Sequence, residues 1–129
     1  MLKELTVPAD MDQLDQILDF VNAALTDAGC PVKVQMQTAV AVEEVFVNKV
    51  QYAYAEDGGN VTLSVDAQPN SAKIVLSDSG QPYNPVEKAE ADDADADSGL
   101  GILIIKSSVQ SVQYSYENGS NLMTVKQSW

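Results

Sequence analysis

The sequence predicts an α/β fold of the α+β kind: a two-layer sandwich with helices on one face of a mixed, largely antiparallel sheet. Three observations predict it. Apolar residues recur at spacings of three and four through Met11, Leu14, Ile17, Leu18, Val21 and Leu25, as an amphipathic helix requires. Two pairs of β-rich runs, 61–65 with 72–76 and 109–117 with 121–126, are each joined by turn residues. The elements then fall in the order β-α-α-β-β-loop-α-β-β. At 129 residues the chain is sized for one domain, taken as 1–129.

Each element has its own signal. Leu2 to Val7 alternates apolar and polar residues and stops at Pro8, which marks a first strand. Asp10 is placed to cap the first helix, and Gly29 to end it. Pro31 suits the first turn of a second helix, carried by Val34, Ala41, Val42, Val45, Phe46 and Val50 to about Tyr54. Glu56 to Asn60 is a turn, and Val61–Val65 with Ala72–Leu76 is a hairpin across Gln-Pro-Asn-Ser. Asp78 to Ser98 is irregular, and the Ala/Asp-rich half from Glu87 onward lacks any core stripe and reads as a mobile loop. Gly99-Leu-Gly101 opens an apolar helix at Ile102–Ile105. Asn118-Gly119 is the turn dipeptide of a closing hairpin.

Composition narrows the function. The formal net charge is −12, with nineteen Asp plus Glu, no Arg and no His. Such a surface repels phosphate backbones, which argues against direct nucleic-acid binding and favours basic protein partners or simple solubility. Without Arg there is no planar fork for phosphate oxygens, and without His there is no His-based catalysis or His-ligated zinc. Cys30 is the one cysteine, so no intrachain disulfide can form, which fits a reducing compartment. With no apolar run of roughly 18 residues, the expectation is a cytoplasmic chain without a membrane segment.

Three stretches could carry chemistry. Glu44 and Asn48 stand four residues apart on the second helix, so a carboxylate and an amide project from one face. Such a pair can hold hydrated Mg²⁺ or accept a hydroxyl proton. Asp78 follows the strand Ile74-Val75-Leu76, where its carboxylate could accept a bond from an exocyclic amine while Gly80 admits a flat ring. Gly99 and Gly101 precede a helix whose unpaired N–H groups could cradle phosphate, although the spacing is not that of a P-loop. Taken singly, each has a plain structural reading as a solvated helix face, a turn or a loop-to-helix junction. Asp93, Asp95 and Asp97 imitate the start of a calcium loop, but Ser98 and Ile104 stand where Gly and Glu are required. Half-buried positions account for Tyr52, Tyr54, Tyr114 and Tyr116.

Together, E-x-x-x-N on a helix, D-x-G-x-P-Y-N-P after a strand and G-L-G-I before a helix resemble the GHKL ATP-binding fold. More narrowly they resemble the bacterial anti-sigma-factor serine/threonine kinase family, over nearly the whole chain. The resemblance implies ATP and Mg²⁺ as cofactors. It implies Glu44 as the base acting on a substrate hydroxyl, Asn48 as the Mg²⁺ ligand, and Asp78 as the receiver of the adenine amine with Gly80 beneath the ring. Gly99 and Gly101 would cradle phosphates, Thr124 would support the adenine pocket, and the segment at about 86–98 would be the ATP lid. It further implies a sigma factor and an anti-anti-sigma protein as partners, the latter phosphorylated on a serine or threonine, and a homodimer. The sequence departs from the family pattern at Tyr52, where His is common, and at Lys49, where a small or aliphatic residue is usual. Lys49 either extends towards phosphate or snorkels into water. The lid is acidic and free of Arg, so the alternative is a catalytically inactive protein of the same fold that sequesters a regulatory partner.

Overall fold

The computed structural model describes residues 2–50, 59–80, 82 and 109–129. Five strands form one sheet: β1 (Leu2–Pro8), β2 (Asn60–Gln68), β3 (Ser71–Asp78), β4 (Ser111–Glu117) and β5 (Ser120–Ser128). Their spatial order is β1-β2-β3-β5-β4, and every neighbouring pair is antiparallel. No parallel pair occurs among the described strands, so the mixed component of the expectation is not found there. Two helices, α1 (Leu14–Asp27) and α2 (Val32–Asn48), make the second layer.

The local signals act as expected, with boundaries moved by up to three residues. Asp10 accepts the Asp12 N–H at 2.8 Å and caps a short 3₁₀ turn, Met11–Gln13, which feeds α1. Gly29 takes φ +82° and closes α1: its N–H bonds Thr26 O at 3.0 Å while Cys30 N–H bonds Leu25 O at 3.0 Å. That is a Schellman closure, which satisfies carbonyls the helix end would otherwise leave open. Pro31 sits just before α2 in an extended conformation rather than inside the first turn. The expected extension of α2 to Tyr54, the loop and lid from Glu87 to Ser98, and the helix after Gly101 lie outside the described residues.

The β2–β3 hairpin is longer than its apolar runs suggested, turning over Pro69 and Asn70 alone. The β4–β5 hairpin turns at Asn118 and Gly119, with φ +53° and +79°. Both positive angles identify the type I′ geometry whose twist matches that of the strands. A Cβ at Gly119 would meet nothing within 4 Å, so Gly119→Ala should carry only a conformational cost. We expect a loss of about 1 kcal/mol, read as a lower urea midpoint at unchanged m-value.

One face of the sheet is apolar and the other polar. Val61, Leu63 and Val65 on β2 stand in register with Asp78, Leu76 and Ile74 on β3. These in turn face Asn121, Met123 and Val125 on β5. All but Asp78 and Asn121 are apolar and buried, and they close against Ile17, Val21 and Leu25 of α1 and Val42, Val45 and Phe46 of α2. The alternate residues, such as Thr62, Ser64, Ser77 and Thr124, belong to the opposite face, where Thr6 and Thr62 share a hydroxyl contact of 3.0 Å.

Helix α2 lies along this inner face with its direction fixed at both ends. Near its start, buried Thr38 donates to Val34 O at 2.7 Å and receives Gln127 Nε2 at 3.4 Å. At its other end Lys49 reaches Asp78, the neighbour of Asn121. From Thr38 to Lys49 a helix rises about 16 Å, and from Gln127 to Asn121 a strand runs about 20 Å. The two spans are close enough to deliver the C-terminal turn of α2 to the end of the sheet where the candidate residues gather.

Candidate functional site

The site is built from the last turn of α2, the end of β3 and the beginning of β5. On α2, Glu44 is half-buried and Asn48 is 5% exposed. The Asn48 side-chain Nδ2 donates to Glu44 backbone O at 2.8 Å. That bond fixes the amide and leaves Oδ1 as its acceptor. Beyond Asn48 the helix widens into a π turn at Lys49 and Val50. Such turns recur at functional positions because they interrupt the regular ladder.

Lys49 corrects both sequence readings of it. Its side chain is 5% exposed and ion-paired with the Asp78 carboxylate, itself fully buried. It extends neither to phosphate nor into water. The helical series Val42, Val45, Lys49 places it on the core-facing stripe. Burial holds the Lys49 ammonium below its usual pKa, because desolvation outweighs the opposing hydrogen bond and attraction from Asp78.

Asp78 is the centre of a polar network in an otherwise apolar layer. Its Oδ2 takes Lys49, while Oδ1 accepts Gly80 N–H at 2.9 Å and Asn121 Nδ2 at 3.0 Å. Asn121 Nδ2 also reaches Gly80 O at 3.3 Å, and the Tyr114 hydroxyl donates to Asn121 Oδ1. The β3–β5 register sets Asn121 directly opposite Asp78, and Tyr114 stands diagonally across on β4. Three donors, one of them a cation, hold the carboxylate in place.

Of the sequence-derived residues, the structure brings Glu44 and Asn48 together on α2 and Asp78 and Gly80 together at the end of β3. Thr124 is not brought to them. It is in register with Val75 on the opposite face, three residues from Asn121, so strand alternation turns it away from Asp78. Asn121, not Thr124, is the β5 residue that stands opposite Asp78. Gly99 and Gly101 lie outside the described residues.

The donor set can be tested against Mg²⁺-ATP. Asn48 Oδ1 suits the metal end, since Mg²⁺ takes few protein ligands and completes its shell with water and phosphate. Among the described residues no group of three or more Asp, Glu or Cys side chains is placed to hold a metal ion. The base end fits less readily, because the Asp78 carboxylate is already engaged by Lys49. Among the described residues no helix is long and apolar enough to cross a membrane.

Comparison with known proteins agrees with the fold. The model of the family described as "Histidine kinase-like ATPase domain" matches residues 7–127, which take in both helices, β2 to β4, all but the last residue of β5 and the last two residues of β1. Curated relatives include the serine-protein kinase RsbW of Staphylococcus aureus strains JH9 and Newman. Each is 26% identical over 134 aligned residues, covering 95% of this chain and 84% of the relative.

Proposed function

We propose, since the chain belongs to the histidine kinase-like ATPase domain family, that it is an ATP-dependent anti-sigma regulator. It binds a sigma factor and phosphorylates a serine or threonine of an anti-anti-sigma protein. The observation that carries this reading is the placement of Glu44 and Asn48 on the last turns of α2, whose next residue, Lys49, meets the Asp78 carboxylate that also holds Gly80 N–H. The similarity to serine-protein kinases along 95% of the chain supports the substrate class.

In this reading Asn48 Oδ1 holds Mg²⁺, and Asp78 with Gly80 forms the base subsite. Glu44, one helical turn before Asn48, orients the incoming hydroxyl and accepts its proton. Bound Mg²⁺ would offset charge on the phosphates, which matters in a chain without Arg. A proton acceptor one turn from the metal ligand lies within reach of the phosphates that ligand serves. The work left to the protein is placement and charge.

The alternative, a catalytically inactive member that sequesters its partner, is favoured by the engagement of Asp78 with Lys49. Calorimetric titration of Mg²⁺-ATP into the wild type and Asn48→Ala tests the nucleotide reading. We expect binding in the wild type and a loss of at least about tenfold in the variant. A wild type that takes up no nucleotide would leave the sequestering protein as the correct reading.

A further inference from the structure

We propose that Lys49 is a built-in occupant of the base subsite: its ammonium fills the place at Asp78 Oδ2 that a purine amine would take, so the base binds only by displacing it. The inference rests on the nucleotide reading above and deepens it by assigning a residue that sets base affinity.

Three observations carry it. The Asp78 side chain is fully buried and that of Lys49 is 5% exposed, so the pair is closed rather than presented to solvent. Asp78 has about four lone-pair sites. Gly80 N–H and Asn121 Nδ2 occupy the two on Oδ1, and Lys49 takes one on Oδ2; with the carboxylate fully buried, the last site on Oδ2 is not open to a ligand while the ammonium is in place. The Gly80 and Asn121 contacts hold the carboxylate edge in place, and Tyr114 holds Asn121 in turn, so the carboxylate has no easy rotation towards a ligand. The exchangeable contact is the one from a long, unbranched side chain. Lysine carries four rotatable bonds and swings out at low steric cost, whereas the backbone N–H of Gly80 and the clamped amide of Asn121 do not.

The exchange balances charge unfavourably for the ligand. A purine amine is a neutral donor, and it must replace a charge-assisted contact, the stronger kind. Lys49 recovers part of the loss by regaining water at its ammonium, since burial penalises its charged form. Base recognition is thus an exchange rather than an addition, and the base adds less to affinity than it would at an open carboxylate. Phosphate and Mg²⁺ binding at Asn48 is not taxed in this way.

Lys49→Met is the test, because methionine keeps an unbranched apolar stem and removes the ammonium. Three probes are titrated with Mg²⁺: ATP, inosine triphosphate, which has no exocyclic amine, and inorganic tripolyphosphate, which has no base. The variant is expected to bind ATP on the order of 10-fold to 100-fold more tightly, the value of a hydrogen bond to a charged group. The ratios of ATP affinity to that of inosine triphosphate and of tripolyphosphate should rise with it. A change in folding alone would move all three probes together. Should the methionine variant not fold, Lys49→Gln provides the same comparison. Equal ATP affinity in wild type and variant, or weaker binding in the variant, overturns the proposal while leaving the nucleotide reading intact. Binding of none of the probes to either protein overturns both.

Discussion

Asp78→Ala should be the most damaging single substitution at the site, costing about 3–5 kcal/mol of folding stability. The reason is what it leaves behind. Lys49 stays 5% exposed with its anion gone, and Asp78 is the one partner that holds it among the described residues. Gly80 N–H and Asn121 Nδ2 lose their shared acceptor in the same step. For a chain of 129 residues such a loss corresponds to a fall in thermal midpoint of roughly 10 °C or more. Lys49→Met should cost less, because the carboxylate keeps two of its three donors. The double variant Asp78→Ala/Lys49→Met should recover most of the deficit, since it removes the stranded charge along with its partner. Urea unfolding of the four proteins gives the cycle. Additive losses would mean that the pair is not coupled and that the energetic account of the buried network is wrong.

The second large effect is on chemistry. Glu44→Ala is expected to lower phosphoryl transfer to the partner serine or threonine by about 10²–10⁴, the usual contribution of a positioned proton acceptor. Mg²⁺-ATP affinity should stay within about twofold, because a base acting on the hydroxyl contributes in the transition state rather than in the bound complex. Radiolabel transfer from the γ-phosphate, measured beside calorimetry on the same preparations, separates the two terms. Unchanged transfer in the variant would remove Glu44 from the mechanism. A loss of nucleotide binding instead would make it a ligand of the metal or phosphates.

Much of the fold was legible because its signals are local. Apolar spacing in 11–25 and 34–50, a glycine at position 29 and an Asn-Gly dipeptide at 118–119 each act over a few residues, and each does its expected work here. Glu44 and Asn48 were legible for the same reason, since four residues on a helix make one face. What escaped was contact across the sheet. Asn121 faces Asp78 through a β3–β5 register separated by 43 residues, and no short-range pattern selects it. Thr124 was the plausible hydroxyl on the right strand but on the wrong face, an error of odd parity. Lys49 is a different case. Its spacing from Val42 and Val45 already placed it among the core positions, and its chemical type argued for water. Position prevailed because an anion stood at the end of β3 to receive it.

The two ties on α2 have a consequence for how the helix can vary. Thr38 and Lys49 are eleven residues apart, close to three full turns, so both point down the same line towards β5 and β3. One residue inserted between them would turn the C-terminal half by about 100°. That single step would withdraw Lys49 from Asp78 and carry Asn48 off its bearing as well. The segment therefore tolerates exchange of side chains far better than any change in length: it works as a screw thread, in which phase rather than composition sets where the tip arrives.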